Sequence, residues 1–232
     1  MKQLLLAIPG HLGKDVGATA TLDSDGNGSP SFVTKMQEER WINLQQAIGF
    51  CLAWGLSDLY SELEVRLVVP KNIGFKMFGD GIIKIHEVDT EVFTLQQRVD
   101  LVNSLDADVI EFHNNAAPFV ASGFEALVYS RYAESFLIAK QITESVATRL
   151  KAKTRSITTI YDEDLNKFTG RKIFLLEKTK NNAIITEGGF MTNKGDLENI
   201  DLDLDGFNEQ LGASIWLGYQ KYILNKKAKE NK

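Results

Sequence analysis

Leu4-Leu5-Leu6-Ala7-Ile8-Pro9-Gly10-His11-Leu12-Gly13-Lys14-Asp15-Val16-Gly17-Ala18 passes from an apolar run directly into a glycine-rich turn that carries one histidine. Leu4 to Ile8 read as a short buried strand, and Pro9-Gly10 stop it. His11 is thereby held at the carboxyl end of the strand, where open α/β sheets place their sites.

Two other apolar runs end in the same manner. Asp108 to Phe112 stops at His113-Asn114-Asn115, and Ala183 to Thr186 stops at Glu187-Gly188-Gly189-Phe190. Three strand ends that each carry a metal-binding or proton-moving group, each followed by turn-forming residues, describe one pocket rim. Side chains alternate along a strand, so Val109, Glu111 and His113 share a face. Glu111 is then either a carboxylate that orients His113 or a solvated charge at a strand end.

The remaining chain alternates strands and helices. From Glu38, the spacing of Trp41, Leu44, Ile48 and Cys51 predicts a helix to about Trp54. Glu38 and Glu39 lie in its first turn, a place the helix dipole favours for acids whatever their function. Leu63 to Val69, closed by Pro70, and Ile82 to Ile85, ending at His86, read as strands. Thr94 opens a helix with Leu95, Val99, Leu101 and Val102 as its buried face. Phe124 to Tyr129 reads as a strand, and Tyr132 to Leu150 as a helix resting on Phe136, Ala139, Ile142, Val146 and Leu150. Residues 151–170 read as polar connection, Lys172 to Leu176 and Ala183 to Thr186 as the last strands. Phe207, Leu211, Ile215, Tyr219 and Tyr222 mark a closing helix, and residues 225–232 a charged, frayed tail. The alternation makes residues 1–224 a single α/β domain with a mostly parallel sheet.

Composition narrows the function classes. With 232 residues, 44% apolar, the chain can bury a sizeable core. A formal charge of −5 argues against a nucleic-acid binder relying on a broad basic surface. The single Cys51 forms no internal disulfide and, between Phe50 and Leu52, reads as a small buried hydrophobe. The run Leu4 to Ile8 is too short for a secretory signal, and no membrane-spanning segment is present. Asp23-Ser24-Asp25-Gly26-Asn27-Gly28 imitates the first half of a calcium loop, but Thr34 stands where a bidentate Glu is required. Asp201 to Gly206 shares that defect at Gly212, so both read as turns within loops. His86, in a polar stretch without a following glycine, reads as a loop histidine rather than a ligand.

His11 and His113 together with Glu38 or Glu39 supply the two nitrogens and one oxygen common in catalytic zinc sites. Such a metal brings the pKa of its water to about 7. A further carboxylate must carry that water's proton to the leaving amine, and Glu187 is the candidate.

Pro9-Gly10-His11 with Gly13-Lys14-Asp15 and Gly17-Ala18, Glu39 four residues before Asn43-Leu44, Ala107-Asp108 leading to His113-Asn114-Asn115-Ala116, Ala121 to Glu125, and Glu187 to Asn193 occur in order. In these blocks the chain resembles the zinc-dependent N-acetylmuramoyl-L-alanine amidases of the type 3 family, from residue 4 to about 223. The resemblance implies cleavage of the amide between N-acetylmuramic acid and L-alanine in peptidoglycan. It implies zinc on His11, Glu39 and His113, Glu187 as the catalytic glutamate, a six-stranded sheet with helices on both faces, and a strand over Lys172 to Thr179. Ile8 stands where that family usually has Asp, Glu111 where it has a small residue, and Gly188 where a leucine is common. Glu111 is therefore a candidate substitute for the missing carboxylate. The connection from His11 to Glu39 is longer than the family's.

The expected partner is peptidoglycan, with neither nucleic acid nor membrane. Without an export signal or an appended wall-binding module, the expectation is a chain made in the cytoplasm that reaches the wall by lysis-linked release, as an endolysin does, or a catalytic core cut from a larger protein. Two alternatives stand beside the amidase. A zinc peptidase would need a cation for a substrate carboxylate, for which Arg66, Arg98, Arg131 and Arg171 are candidates. An inactive wall-binding domain would have no reason to keep Glu187.

Overall fold

The computed structural model describes residues 3–11, 19–21, 36–71, 83–89, 93–116, 121–170, 172–201 and 206–231. In chain order the elements are β1 (Gln3–Pro9), β2 (Thr19–Thr21), β3 (Met36–Glu38), α1 (Glu39–Gly55), β4 (Leu63–Pro70), β5 (Ile85–Val88), α2 (Leu95–Ser104), β6 (Asp108–Asn115), β7 (Glu125–Val128) and α3 (Glu134–Leu150). There follow β8 (Thr158–Thr159), β9 (Tyr161–Asp162), β10 (Lys167–Phe168), α4 (Phe174–Lys178), β11 (Ala183–Phe190), α5 (Lys194–Asp201) and α6 (Phe207–Glu230).

The sheet runs β5-β4-β1-β6-β11-β7-β8. It is parallel throughout except where β7 pairs antiparallel with β11. Alternation along β1 explains its place near the middle: Leu5 and Ala7 enter the core under α1, α3 and α6, whereas Leu6 and Ile8 enter the core under α2 and α4. Helices thus cover both faces. α6 packs between α1 and α3, and a Cβ on its Gly212 would stand 1.9 Å from the Gln46 carbonyl oxygen of α1, so that contact requires glycine. Among the described residues no helix is long and apolar enough to cross a membrane.

Several expectations are corrected. The sheet has seven strands, not six, because Thr158–Thr159 extends the β7 edge from within the stretch read as polar connection. Two residues without an apolar run leave no periodicity to read. Lys172 to Leu176 is not a strand: Phe174–Lys178 is helical, and Leu175 and Leu176 bury themselves against the α2 side. Short apolar runs do not distinguish the two conformations. The edge strand lies at Ile85–Val88, so His86 sits inside it, paired with Val68. Trp41 is 44% exposed with Arg40 over its ring, and Leu95 is 52% exposed. Residues 225–230 are not frayed but continue α6, with Lys226 bonded to Glu134 and Lys227 to Glu62, charges suited to a helix carboxyl end. Within the connection from His11 to Glu39, β2 pairs antiparallel with β3, and Glu38 belongs to that pairing rather than to α1. Asp23 to Gly28 and residues 202–205 lie outside the described residues.

Candidate metal centre

The site forms at the carboxyl ends of β1, β6 and β11. The Gly10 amide donates to the Phe112 carbonyl at 2.8 Å, which carries the chain one step past β1 against β6. His11 follows with a φ of 55°, a left-handed turn that swings its ring over the strand ends. His113 and Glu187 do not follow their strands, as the apolar runs suggested, but lie inside them as register partners. The ladder therefore aims both side chains at the same face. Glu39, the first residue of α1, comes over the top of the sheet from the opposite layer.

His113 Nδ1 lies 3.2 Å and His11 Nε2 3.6 Å from Glu39 Oε1. Among the described residues, these three form the one group of ligand atoms within 4.8 Å of one another. Donors around a tetrahedral ion with bonds of about 2.1 Å stand about 3.4 Å apart, so the spacing fits zinc. The proton arrangement fits too. His113 Nε2 faces Glu111 Oε2 at 3.3 Å and, since a carboxylate only accepts, carries the hydrogen. The same holds for Nδ1 against Glu39 Oε1, so both ring nitrogens carry a hydrogen without a metal, and a cation replacing the Nδ1 hydrogen would leave Nε2 donating to Glu111.

Electrostatics points the same way. Burial opposes charge on His113, yet Glu111, Glu39 and Glu187 outweigh it and push the imidazole up to about 10. A field that holds a proton so firmly also attracts a cation. Glu111 is buried as well, but His113 and Arg98 hold it ionised, at about 2. Glu187 differs: burial pushes it up to about 7, with His113 pulling it down and Glu39, Glu125 and Glu111 pushing it further up. Its Oε2 is buried without a hydrogen-bond partner among the described residues. A carboxyl poised near neutrality with one oxygen unengaged among the described residues can both take and return a proton.

A layer of buried amides holds Glu39 in place. Its Oε1 accepts from the Asn114 amide at 3.1 Å and from Asn43 Nδ2 at 3.3 Å, while Asn114 Nδ2 donates to Asn43 Oδ1 at 2.8 Å. Gln46 Nε2 extends the chain to Asn114 Oδ1. A Cβ on Gly188 would fall 2.6 Å from Gln46 Nε2 and 2.7 Å from Asn114 Oδ1, so here the amides occupy the space of a larger residue. Sequence reasoning missed the work of Asn43 and Gln46, although Asn43 stands one helical turn from Glu39, the one available signal.

The cleft over the site has a volume of about 640 Å³ and is rimmed by Phe93, Thr94, Leu95, Lys172 and Phe174. His86 is not in it. Of the candidate arginines among the described residues only Arg98 lines it, and its guanidinium is committed to Glu111 and the Phe93 carbonyl. Arg66 pairs with Glu64 and Arg131 with Asp164 away from the site, and Arg171 lies outside the described residues.

The sequence model described as N-acetylmuramoyl-L-alanine amidase matches residues 6–219. The germination-specific N-acetylmuramoyl-L-alanine amidase of Bacillus subtilis (strain 168) is 28% identical over 185 residues, 79% of this chain and 72% of that protein. In fold the chain is similar to an N-acetylmuramoyl-L-alanine amidase from Clostridium difficile 630, with a TM-score of 0.66, 21% identity and coverage of 96% of this chain and 97% of the other. It is also similar to the catalytic domain of the amidase CwlV from Bacillus (Paenibacillus) polymyxa var. colistinus, with a TM-score of 0.65, 21% identity and coverage of 96% and 98%.

Proposed function

The chain belongs to the type 3 N-acetylmuramoyl-L-alanine amidase family and is a peptidoglycan hydrolase of that class, and from this premise we propose that His11, Glu39 and His113 hold a zinc ion while Glu187 moves the proton of the attacking water. The observation that carries the proposal is the convergence of the three donors within 4.8 Å beside a buried carboxyl held near neutrality. When bound, zinc supplies a Lewis acid for the scissile carbonyl and for water.

The chain's own residues do the rest. Glu187, ionised, takes a proton as the water oxygen bonds to the lactyl carbonyl carbon, and returns it to the nitrogen of L-alanine as the carbon–nitrogen bond breaks. The amide layer behind Glu39 and the Glu111 contact on His113 keep the donors in register. Phe93, Leu95 and Phe174 on the rim offer apolar surface to the substrate beside the polar Thr94 and Lys172.

For a peptidase reading Arg98 is spent within the protein, which leaves Lys172 as the rim cation among the described residues, and the fragments released separate the two activities. Decay into a binding domain lacks support, since Gly188 is required by the packing above it. In this reading the chain works at the cell wall, where its substrate lies.

The test is digestion of purified peptidoglycan by the wild type and Glu187→Gln, with and without a chelator, followed by mass spectrometry. Free peptides beginning with L-alanine, lost with either treatment, are expected. Cuts inside the stem peptide would replace the reading with a peptidase, and no release from a zinc-loaded wild type would replace it with a binding domain.

A further inference from the structure

Across β1, β6 and β11 at one level of the sheet the register partners are Ile8, Glu111 and Ile185. A carboxylate between two buried isoleucines is an expensive arrangement unless every lone pair is used. Glu111, 2% exposed, uses both oxygens in opposite directions. Oε1 accepts from Arg98 Nη1, and Oε2 faces His113 Nε2 at 3.3 Å. Arg98, itself 5% exposed, is fixed by a second bond from its Nε to the Phe93 carbonyl at 2.9 Å, just before the capped start of α2.

We infer that Glu111 and Arg98 are positioning residues for the metal centre: the buried pair fixes the His113 ring so that Nε2 carries the hydrogen and Nδ1 faces Glu39 and His11. This inference rests on the zinc reading and deepens it. If the pair served only the fold, two apolar residues of similar volume would serve at least as well. The arrangement also ties the start of α2, which forms the cleft rim, to a metal donor through one guanidinium.

The test compares zinc affinity, by competition with a chelating dye, for the full-length wild type, Glu111→Gln and the double variant Glu111→Gln/Arg98→Met. The single variant leaves Arg98 buried without its carboxylate and is open to misfolding; the double variant removes both charges and separates the two effects. Loss of such an outer partner weakens metal binding by about 10-fold to 100-fold, and that loss is expected in both variants, with the metal-free double variant melting close to the wild type. In the zinc-loaded wild type, the His113 Nε2 proton is expected as a slowly exchanging imidazole resonance that shifts upfield and exchanges faster in both variants, where a neutral amide oxygen replaces the carboxylate. Wild-type zinc affinity in the double variant would overturn this inference alone, leaving Glu111 and Arg98 a structural pair. A wild type that takes up no zinc would overturn both the inference and the reading beneath it.

Discussion

Gly10→Ala adds a single methyl group and is expected to abolish the metal centre while leaving the fold intact. A Cβ at Gly10 would stand 2.3 Å from His113 Cε1 and 2.6 Å from both ring nitrogens. Ordinary carbon contacts begin at about 3.5 Å, so ring and methyl must separate by about 1.2 Å. The backbone at Gly10 is pinned by its 2.8 Å bond to the Phe112 carbonyl, and the ring lies between Glu39 at 3.2 Å and Glu111 at 3.3 Å. Metal sites tolerate about 0.2 Å of displacement in a donor, so zinc affinity should fall by more than the outer-partner range of about 100-fold. Zinc at 100 times its dissociation constant stabilises a protein by about 2.7 kcal/mol, which for a domain of this size raises its melting temperature by about 5 to 11 °C. That rise should vanish in Gly10→Ala, and amide hydrolysis should fall at least about 100-fold. Gly170→Ala, where a Cβ meets nothing within 4 Å, is the matched control. Wild-type zinc affinity and a wild-type melting shift in Gly10→Ala would refute the packing argument.

Three further outcomes are expected. Glu187→Gln should lower kcat by about 10²-fold to 10⁴-fold, while chelator competition shows zinc affinity within a few-fold of wild type, separating proton transfer from metal holding. Asp108, at the far end of β6, is raised above its ordinary 3.8 by burial, against bonds from Asn182, Tyr219 and Gln3. A carboxyl bound to its proton more tightly when folded loses stability as pH rises from 3.8 through the raised folded value. Metal-free melting across that window should therefore fall more steeply for the wild type than for Asp108→Asn, and equal slopes would contradict the burial effect. Trp54 Nε1 donates to the Leu63 carbonyl at 3.1 Å, whereas Trp216 Nε1 is buried without a partner among the described residues. Trp54→Phe should thus cost about 1 kcal/mol more than Trp216→Phe in urea unfolding, the worth of one hydrogen bond.

What the sequence disclosed and what it hid follow from the same physics. β1, β6 and β11 were legible because residues buried in a covered parallel sheet must be apolar in succession, and Leu5 to Ile8 leave no other reading. Alternation from Val109 was enough to put Glu111 and His113 on one face. The runs were cut short at His113 and Glu187 because hydrophobicity ends there, but hydrogen bonding does not: the ladder continues to Asn115 and Phe190. Lys172 to Leu176 reads as a strand yet turns helical from Phe174 for the opposite reason, since an apolar run this short satisfies a strand and a helical turn equally.

The deeper limit concerns buried polar groups. Hydrophobic periodicity marks positions that are buried on their own merits, whereas Asn43, Gln46, Asn114, Arg98 and Glu111 are buried only because each meets a partner far away in the chain. Arg98 and Glu111 are 13 residues apart, and Asn43 and Asn114 are 71 apart. Neither member of such a pair is stable in an apolar layer alone. Burial is therefore a property of the pair, fixed by strand register and helix placement rather than by either residue. Glu111 marks the boundary between the two kinds of inference: its direction followed from local alternation, but its commitment to His113 became decidable only when α2 brought Arg98 to its other oxygen. Without that guanidinium, the carboxylate between Ile8 and Ile185 would rely on His113 alone against the cost of its burial, and one of its oxygens would lose its partner.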